Sequence, residues 1–525
     1  MKKITLITVA IVSVFTSCND FLEFEPYGQP ADLGSLSDEQ AMQTVYALYE
    51  WQYREGTTGR GFFWYENASD NMVTGRTQAE AANIKNFIDN GSTSRDVRDN
   101  WPQMYQTVNY ANGIISQIPA STSISDATKN IVLGNAYFWR GFAYLWLAPW
   151  YGDDGPNGGI PIVTENTTIE EIDVPRPASV LENYRMIIAD MEKASEYLPY
   201  FEDIPTSDWG LVHKTAAWGF AARAALYAAQ YDASFYDVAI AYADKVIGSQ
   251  KHRLLDNYTD VFEIENNWST EYIYSVTSNE IDGSKWPGIS FQNGGFGYYN
   301  TWGYFQPTLE LYNAFEAGDE RRAATIVAPG DHVSFIGNDI TWQVNPSSTS
   351  SPTGMTLGKY LAPFRAADAI GKTVNPDGNN MTTDLNVPLM RYAELLLIKA
   401  EALIWKNGEG DPVAKELIND IRERAGLARD SEATKAQLKN ERRVEFAFEF
   451  GVWRHLDLVR WGDAQATYAQ PLHGYKVNLA DGAISSLEEI EVWPARQFNP
   501  LVHHVFPIPV REIATSENLE QNNGY

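Results

Sequence analysis

The chain has 525 residues and a formal charge of −28, with 68 acidic against 40 basic residues. Such a surface repels phosphate backbones and no basic stripe offsets it, which argues against a nucleic-acid role. The length exceeds one ordinary core, so two lobes or a stacked repeat are expected, and 16 Trp with 29 Tyr leave rings available for a surface.

The first residues read as an export signal: Lys2-Lys3, the apolar segment Ile4–Phe15, then Thr16-Ser17 before Cys18. Cys18 is the only cysteine, so no disulfide can form within one chain. No later hydrophobic run is long enough to span a bilayer.

From Ser37 to Tyr53, Met42, Val45, Leu48 and Tyr49 describe an amphipathic helix, with Ser37 as N-cap and Gln40 three residues on. The next stretch, GTTGRGFFWYENASDNMVTGRTQ, keeps neither helical nor strand period and reads as a loop that presents side chains. Helices are then predicted over Trp101–Ile118 and over the aromatic-rich Ile131–Trp150, followed by a short extended piece, GGIPIVTE. A further helix carries Val180, Tyr184, Ile187, Met191 and Ala194 at helical spacing.

In Lys214–Gln230, Ala217, Ala221, Ala224, Ala225 and Ala228 allow a neighbouring helix, Tyr236–Ile247, to approach closely. Helix, turn, helix with alanines at the crossings points to tetratricopeptide-like units of irregular period. Between Asn266 and Pro307 a short strand, Glu271–Val276, precedes a run of Gly, Asn and aromatic residues, and a second irregular insertion runs from Ala328 to Thr383.

The stretch Val387–Asp463 is predicted as three helices. Pro388 opens the first and Asn407-Gly408-Glu409-Gly410 ends it; the second runs from Asp411-Pro412 to Gly426. The third carries Glu441, Arg442, Arg443, Glu445 and Glu449 between Phe446, Phe448 and Trp453, and charges set among such rings must pair.

RYAELLLIKAEAL, IRERAG and ERRVEFAFEFGVWRHLDLVRWG resemble the C-terminal signature of the SusD/RagB family of outer-membrane nutrient-binding lipoproteins, and VFPIPVREIATSENLEQNNGY resembles that family's chain ending. The resemblance implies a mostly α-helical, tetratricopeptide-like scaffold with long irregular loops and few short strands. It also implies a signal peptide over residues 1–17, lipidation at Cys18 and a tether over 18–36. One domain would span 37–525, with binding loops inserted at about 56–78, 266–307 and 328–383.

Sugars offer flat C–H faces and rings of hydroxyls, so their sites combine exposed aromatics with Asp, Asn or Arg. The loops hold that mixture: Trp64, Tyr65, Asp70, Asn71 and Arg76 in the first, and Trp286, Phe291, Asn293, Tyr298, Tyr299 and Trp302 in the second. Arg365 in the third loop would complete a polar edge. Trp302, just before QPTLELYNAFE, is the leading ligand residue; Asp70 and Asn71 sit in ENASDNM, which also looks like a family motif and has a structural reading, Asp70 capping a turn.

The resemblance implies capture of an oligosaccharide or polysaccharide and its delivery to a SusC-like TonB-dependent transporter, at the outward face of the outer membrane through the lipid anchor. A peptide-binding RagB-like uptake protein is the alternative, and a glycoside hydrolase a further one. No catalytic motif supports an enzyme: the seven histidines lack metal-ligand spacing, and no Walker loop or G-x-S-x-G occurs. Glu441 and Glu445 fall one turn apart, but Arg442 and Arg443 beside them point to a structural ion network. No cofactor or metal is expected.

Overall fold

The structure is a computed structural model, and it describes residues 33–54, 56–58, 60–75, 79–88, 95–279, 303–343, 351–374 and 382–525. Ser37 caps α1 (Asp38–Ala47) through the capping box its spacing predicts: Ser37 Oγ accepts from the Gln40 amide, and Gln40 Oε1 accepts from the Ser37 amide at 3.0 Å. The helix stops short of Tyr53 because Glu50–Tyr53 tightens into a 3-10 turn. That turn sends Trp51 onto Phe142 at 4.8 Å and lets Gln52 donate to the Tyr274 hydroxyl at 2.7 Å.

Residues 56–78 are not the loop that their lack of period predicts. They contain α2 (Arg60–Asn67) and strand β1 (Met72–Thr74), which pairs with a strand from the second aromatic stretch, as described below. An eight-residue helix has little stability of its own, and here its aromatic side chains are fixed by tertiary packing rather than by local propensity.

The centre of the fold is α4 (Asp126–Tyr151), 26 residues long and apolar on nearly every side, as a helix enclosed by others must be. Around it pack α3 (Asn100–Gln117), α5 (Val180–Tyr197) and α1. The chain between α4 and α5 runs extended through Ile160 without a strand partner. The Asn183 side chain instead accepts from the Ile160 amide at 3.0 Å and donates to its carbonyl at 2.9 Å.

The stacking continues through α6 (Lys214–Ala228) and α7 (Phe235–Ser249), and the five predicted alanines of α6 are all fully buried. Next in the stack is α8 (Tyr392–Asn407), followed by α9 (Pro412–Arg424). The mostly helical, repeat-like scaffold is therefore as expected.

Every β-ladder among the described residues is two-stranded and antiparallel. β2 (Tyr272–Val276) pairs with β8 (Val387–Arg391), so Pro388 lies in a strand opposite Ser275 rather than opening a helix. A two-stranded ladder leaves each strand one free edge, where a missing N–H is tolerated. α8 begins only at Tyr392, whose amide donates to the Glu271 carbonyl at 2.8 Å.

The insertion 328–383 is less irregular than its composition predicts, because a hairpin of β5 (His332–Phe335) and β6 (Asn338–Thr341) lies inside it. β7 (Thr356–Leu357) in the same insertion pairs with β4 (Ile326–Val327), just ahead of it. The third helix of the signature is also interrupted. α10 (Lys435–Phe446) ends, Phe448 and Gly451 take positive φ, and α11 (Arg454–Arg460) follows. The break turns Phe450 onto Phe62, ring centroids 3.7 Å apart.

A long hairpin, β9 (Leu472–Ala480) and β10 (Ala483–Trp493), turns at Asp481-Gly482, both with positive φ. Asp-Gly is the turn chemistry that such a hairpin requires, so this ladder was legible but is not among the predicted elements.

Candidate ligand-binding site

β1 pairs with β3 (Phe305–Pro307), in register from Met72 opposite Pro307 to Thr74 opposite Phe305. Beyond the ladder the Gly75 amide donates to the Tyr304 carbonyl at 3.3 Å. The described ends of the first and second aromatic stretches thus lie side by side. β7 from the third packs against β3, so all three predicted segments meet at this ladder.

Beneath the ladder is the core. Trp64 is 1% exposed and sits edge-on to Tyr304 at 5.4 Å. Tyr65 is 0% exposed, packed on Trp150 at 4.4 Å and beside Trp453 and Phe506. The expectation that these two rings hold a sugar face is corrected: neither offers a face to solvent, because α2 packs Trp64 against Tyr304 at the ladder and Tyr65 against Trp150 of α4.

Asp70 and Asn71 are also buried, and their partners are protein groups. Arg443 Nη2 lies 2.9 Å from Asp70 Oδ2, and Arg454 Nε donates to Asp70 Oδ1 at 3.0 Å. Arg443 Nε donates to Asn71 Oδ1 at 2.9 Å. Thr308 donates its hydroxyl to the Asp70 carbonyl at 2.8 Å and its amide to the Asn71 carbonyl at 3.0 Å.

The rest of the motif is held by cations. Lys85 donates to the carbonyls of Asn67, Ser69 and Met72, and Arg496 to those of Ala68, Ser69 and Lys85. ENASDNM is therefore a junction: it ties α2 and β1 to the chain after β3 and to both sides of the break between α10 and α11. Asp70 and Asn71 are engaged by that junction.

Burial raises the Asp70 carboxyl, but Arg443 and Arg454 outweigh it and hold the group well below the usual carboxylate range. Burial pushes the neighbouring Glu66 carboxyl up to about 7; hydrogen bonds from Asn71 and Ser69 oppose the shift and the Asp70 charge adds to it.

Arg365 is about half exposed and pairs with Glu263. Thr259, Phe262 and Tyr360 line a shallow recess together with Arg365. Arg76, Trp286, Phe291, Asn293, Tyr298, Tyr299, Trp302 and Cys18 lie outside the described residues.

The signature's charges pair, as their setting among rings demands. Glu445 lies within 3.2 Å of Arg321, Arg391 and Arg424; Glu441 meets Arg321 and Arg422; Glu449 meets Arg391 and Lys359. Glu441 and Glu445 are thus buried inside a structural network and present no carboxylate pair to a substrate. Among the described residues no three His, Cys, Asp or Glu are grouped to hold a metal ion, and no helix is long and apolar enough to cross a membrane.

Thr308, Lys85, Arg443, Arg454 and Arg496 were not predicted as parts of the site. The signal that could have found Arg443 and Arg454 is the interleaving of charge and large rings in the signature; nothing local marks Lys85, Thr308 or Arg496.

Comparison with known proteins agrees with this architecture. Residues 20–226 match a family described as "Starch-binding associating with outer membrane". A SusD-like protein from Bacteroides ovatus is 25% identical over 489 residues, covering 88% of this chain and 83% of its own. A SusD-like protein from Bacteroides fragilis superimposes with a TM-score of 0.77 at 23% identity, covering 95% of this chain and 98% of that one. Surface glycan-binding protein A from Bacteroides thetaiotaomicron, solved with laminarihexaose, gives 0.70 at 21% identity, covering 93% and 100%. Residues 259–525 match the SusD family itself, more than half the chain, and the protein belongs to that family.

Proposed function

We propose that this protein binds a glycan at the outer face of the outer membrane, anchored by lipid on Cys18, and passes it without turnover to a SusC-like TonB-dependent transporter. The observation that carries the reading is the β1–β3 ladder, a fixed base at which the described ends of three aromatic or polar segments converge. Trp302, one residue before the described chain resumes at Gly303, is proposed as the leading stacking ring, with Trp286, Tyr298, Tyr299 and Arg76 around it and Arg365 at the polar edge. Solved relatives of this fold are named surface glycan-binding proteins, which supports the ligand class.

The test is affinity electrophoresis of the purified protein through starch, laminarin, mannan and galacturonan, with calorimetry on oligosaccharides and a tryptic peptide pool. Retention by one polysaccharide class is expected, with no release of reducing ends. Trp302→Ala is expected to weaken retention more than tenfold, as loss of a central aromatic anchor does. Binding of peptides alone would replace the glycan reading. Purification from detergent-solubilised outer membranes is expected to bring a TonB-dependent barrel with it, and recovery of the protein alone would remove the delivery step.

A further inference from the structure

Trp209 is 39% exposed, the one tryptophan among the described residues with so much of its surface in water. It does not stand alone. Phe201 lies 5.3 Å from it and Trp268 6.1 Å, and Phe201 and Trp268 are themselves 6.1 Å apart with planes within 19°. Three rings from the α5–α6 connection and the approach to β2 thus form one surface cluster; Phe201 and Trp209 lie outside the segments that meet at the β1–β3 ladder, and Trp268 stands at the start of the second, ahead of β2.

The cluster is built rather than incidental. Trp268 holds a φ of +65°, a conformation that a bulky residue adopts only when its surroundings impose it. Asn267 imposes it from one side, donating to the Asp384 carbonyl at 2.8 Å and accepting from the Asn386 amide at 3.0 Å. Gly210 follows Trp209 with φ +111°; a Cβ there would meet Thr277 Oγ1 at 2.6 Å and Trp268 at 3.6 Å, so its absence lets the Trp209 loop press onto Trp268.

Below the rings is a recess lined by Phe201, Leu211, His213, Trp268 and Ser275, among others. Ser275 is 1% exposed and its hydroxyl has no hydrogen-bond partner. Such a group is normally satisfied, and one left unpartnered in the wall of a recess is a place for a bridging water. Polar groups adjoin the rings: Ser207 and Asp208 directly precede Trp209, Thr277 lies beside Gly210, and Glu202, next to Phe201 in the chain, pairs with Lys251.

We infer that the Phe201–Trp209–Trp268 cluster is a second carbohydrate-contacting surface, stacking on the C–H faces of a polysaccharide whose hydroxyls meet the adjoining polar groups. An apolar partner helix would want a groove and a dry rim; one exposed ring backed by two half-buried ones, with short polar and charged side chains adjoining, suits an amphipathic ligand such as a sugar chain. The inference rests on the glycan reading above. It adds that one polymer is held at two separated places, which raises avidity for long chains without changing the contact made with short ones.

The experiment compares wild type, Trp209→Ala, Trp209→Phe and Trp302→Ala by affinity electrophoresis on whichever of starch, laminarin, mannan and galacturonan retains the wild type. Calorimetry on hexasaccharides of the same sugar runs alongside, with folding checked by circular dichroism and Tm. Trp209→Ala is expected to lower polymer retention about tenfold while leaving hexasaccharide affinity within twofold, and Trp209→Phe is expected to restore most of the retention. Polymer retention by Trp209→Ala equal to wild type, with Trp302→Ala defective, overturns this inference and leaves the first site standing. The reverse result removes the first site and keeps this one. A wild type that no glycan retains overturns both.

Discussion

Asp70 and Arg454 lie 384 positions apart in the chain, yet Arg454 Nε donates to Asp70 Oδ1 at 3.0 Å in a part-buried contact. Arg443 approaches the other carboxylate oxygen at 2.9 Å. One carboxylate therefore pairs with two guanidinium groups, one on each side of the break between α10 and α11, and fixes them against the base of the β1–β3 ladder.

Asp70→Asn keeps the shape of that group and removes its charge, leaving both cations buried without their anion. Removing one partner from a buried pair costs about 3–5 kcal/mol. The variant is expected to unfold at a clearly lower urea midpoint with an unchanged m-value. Because the folded Asp70 pKa is depressed, its contribution is present above the ordinary carboxylate range and is lost as pH falls, so the gap between wild type and Asp70→Asn narrows in acid. A gap that is independent of pH would show that the carboxylate charge is not what holds the junction.

Glu66 shifts the other way. Its folded pKa rises from the ordinary 4.5 to about 7, mainly through burial, so its contribution is complete below pH 4.5 and is lost as pH rises through 7. Glu66→Gln cannot titrate. Its stability relative to wild type is expected to climb by about 3 kcal/mol between pH 4 and pH 8, read from urea midpoints at each pH. Parallel profiles for the two proteins would mean that Glu66 ionises freely in the fold.

These two carboxyls mark where the sequence stops being legible. The long helices were readable because their signals are local: Ser37 and Gln40 three apart make a capping box, Asp411 caps α9, and the small face of α6 repeats at helical spacing. α2 was not readable, since its burial comes from Phe305, Phe450 and Trp453, residues hundreds of positions away. Nor could spacing separate Trp64, which lies under the ladder, from Trp209, which stands in water, because an amphipathic ring suits either place. The pairing of the signature's charges was legible as a requirement; which acid meets which arginine was not.

Glu445 is the clearest member of that network. Burial would raise its carboxyl, but Arg424, Arg391 and Arg321 outweigh burial and pull it down to about 2. Glu445→Gln is expected to destabilise at neutral pH by about 3–5 kcal/mol, because three buried arginines lose a shared anion. As pH falls from 4.5 toward 2 the wild type protonates and forfeits the same contribution, so the two proteins converge in acid. Tm measured at pH 7 and pH 3 reads both limbs, and an equal Tm difference at the two pH values would sink the assignment.

Tyr65 separates a structural ring from a ligand-binding one. Its hydroxyl meets the Tyr151 hydroxyl at 3.4 Å, a long contact, and the Asn100 side chain, while its ring is enclosed by Trp150, Trp453 and Phe506. Tyr65→Phe preserves every ring contact and removes the hydroxyl's contacts with Tyr151 and Asn100. The expected change in stability is about 1 kcal/mol or less, and glycan retention is expected to equal that of wild type. A sugar-contacting tyrosine behaves in the opposite way: losing its hydroxyl strips a polar contact from the ligand and leaves the fold untouched. Retention that drops several-fold in Tyr65→Phe at unchanged Tm would return this ring to the binding site and require the ladder to open when ligand arrives.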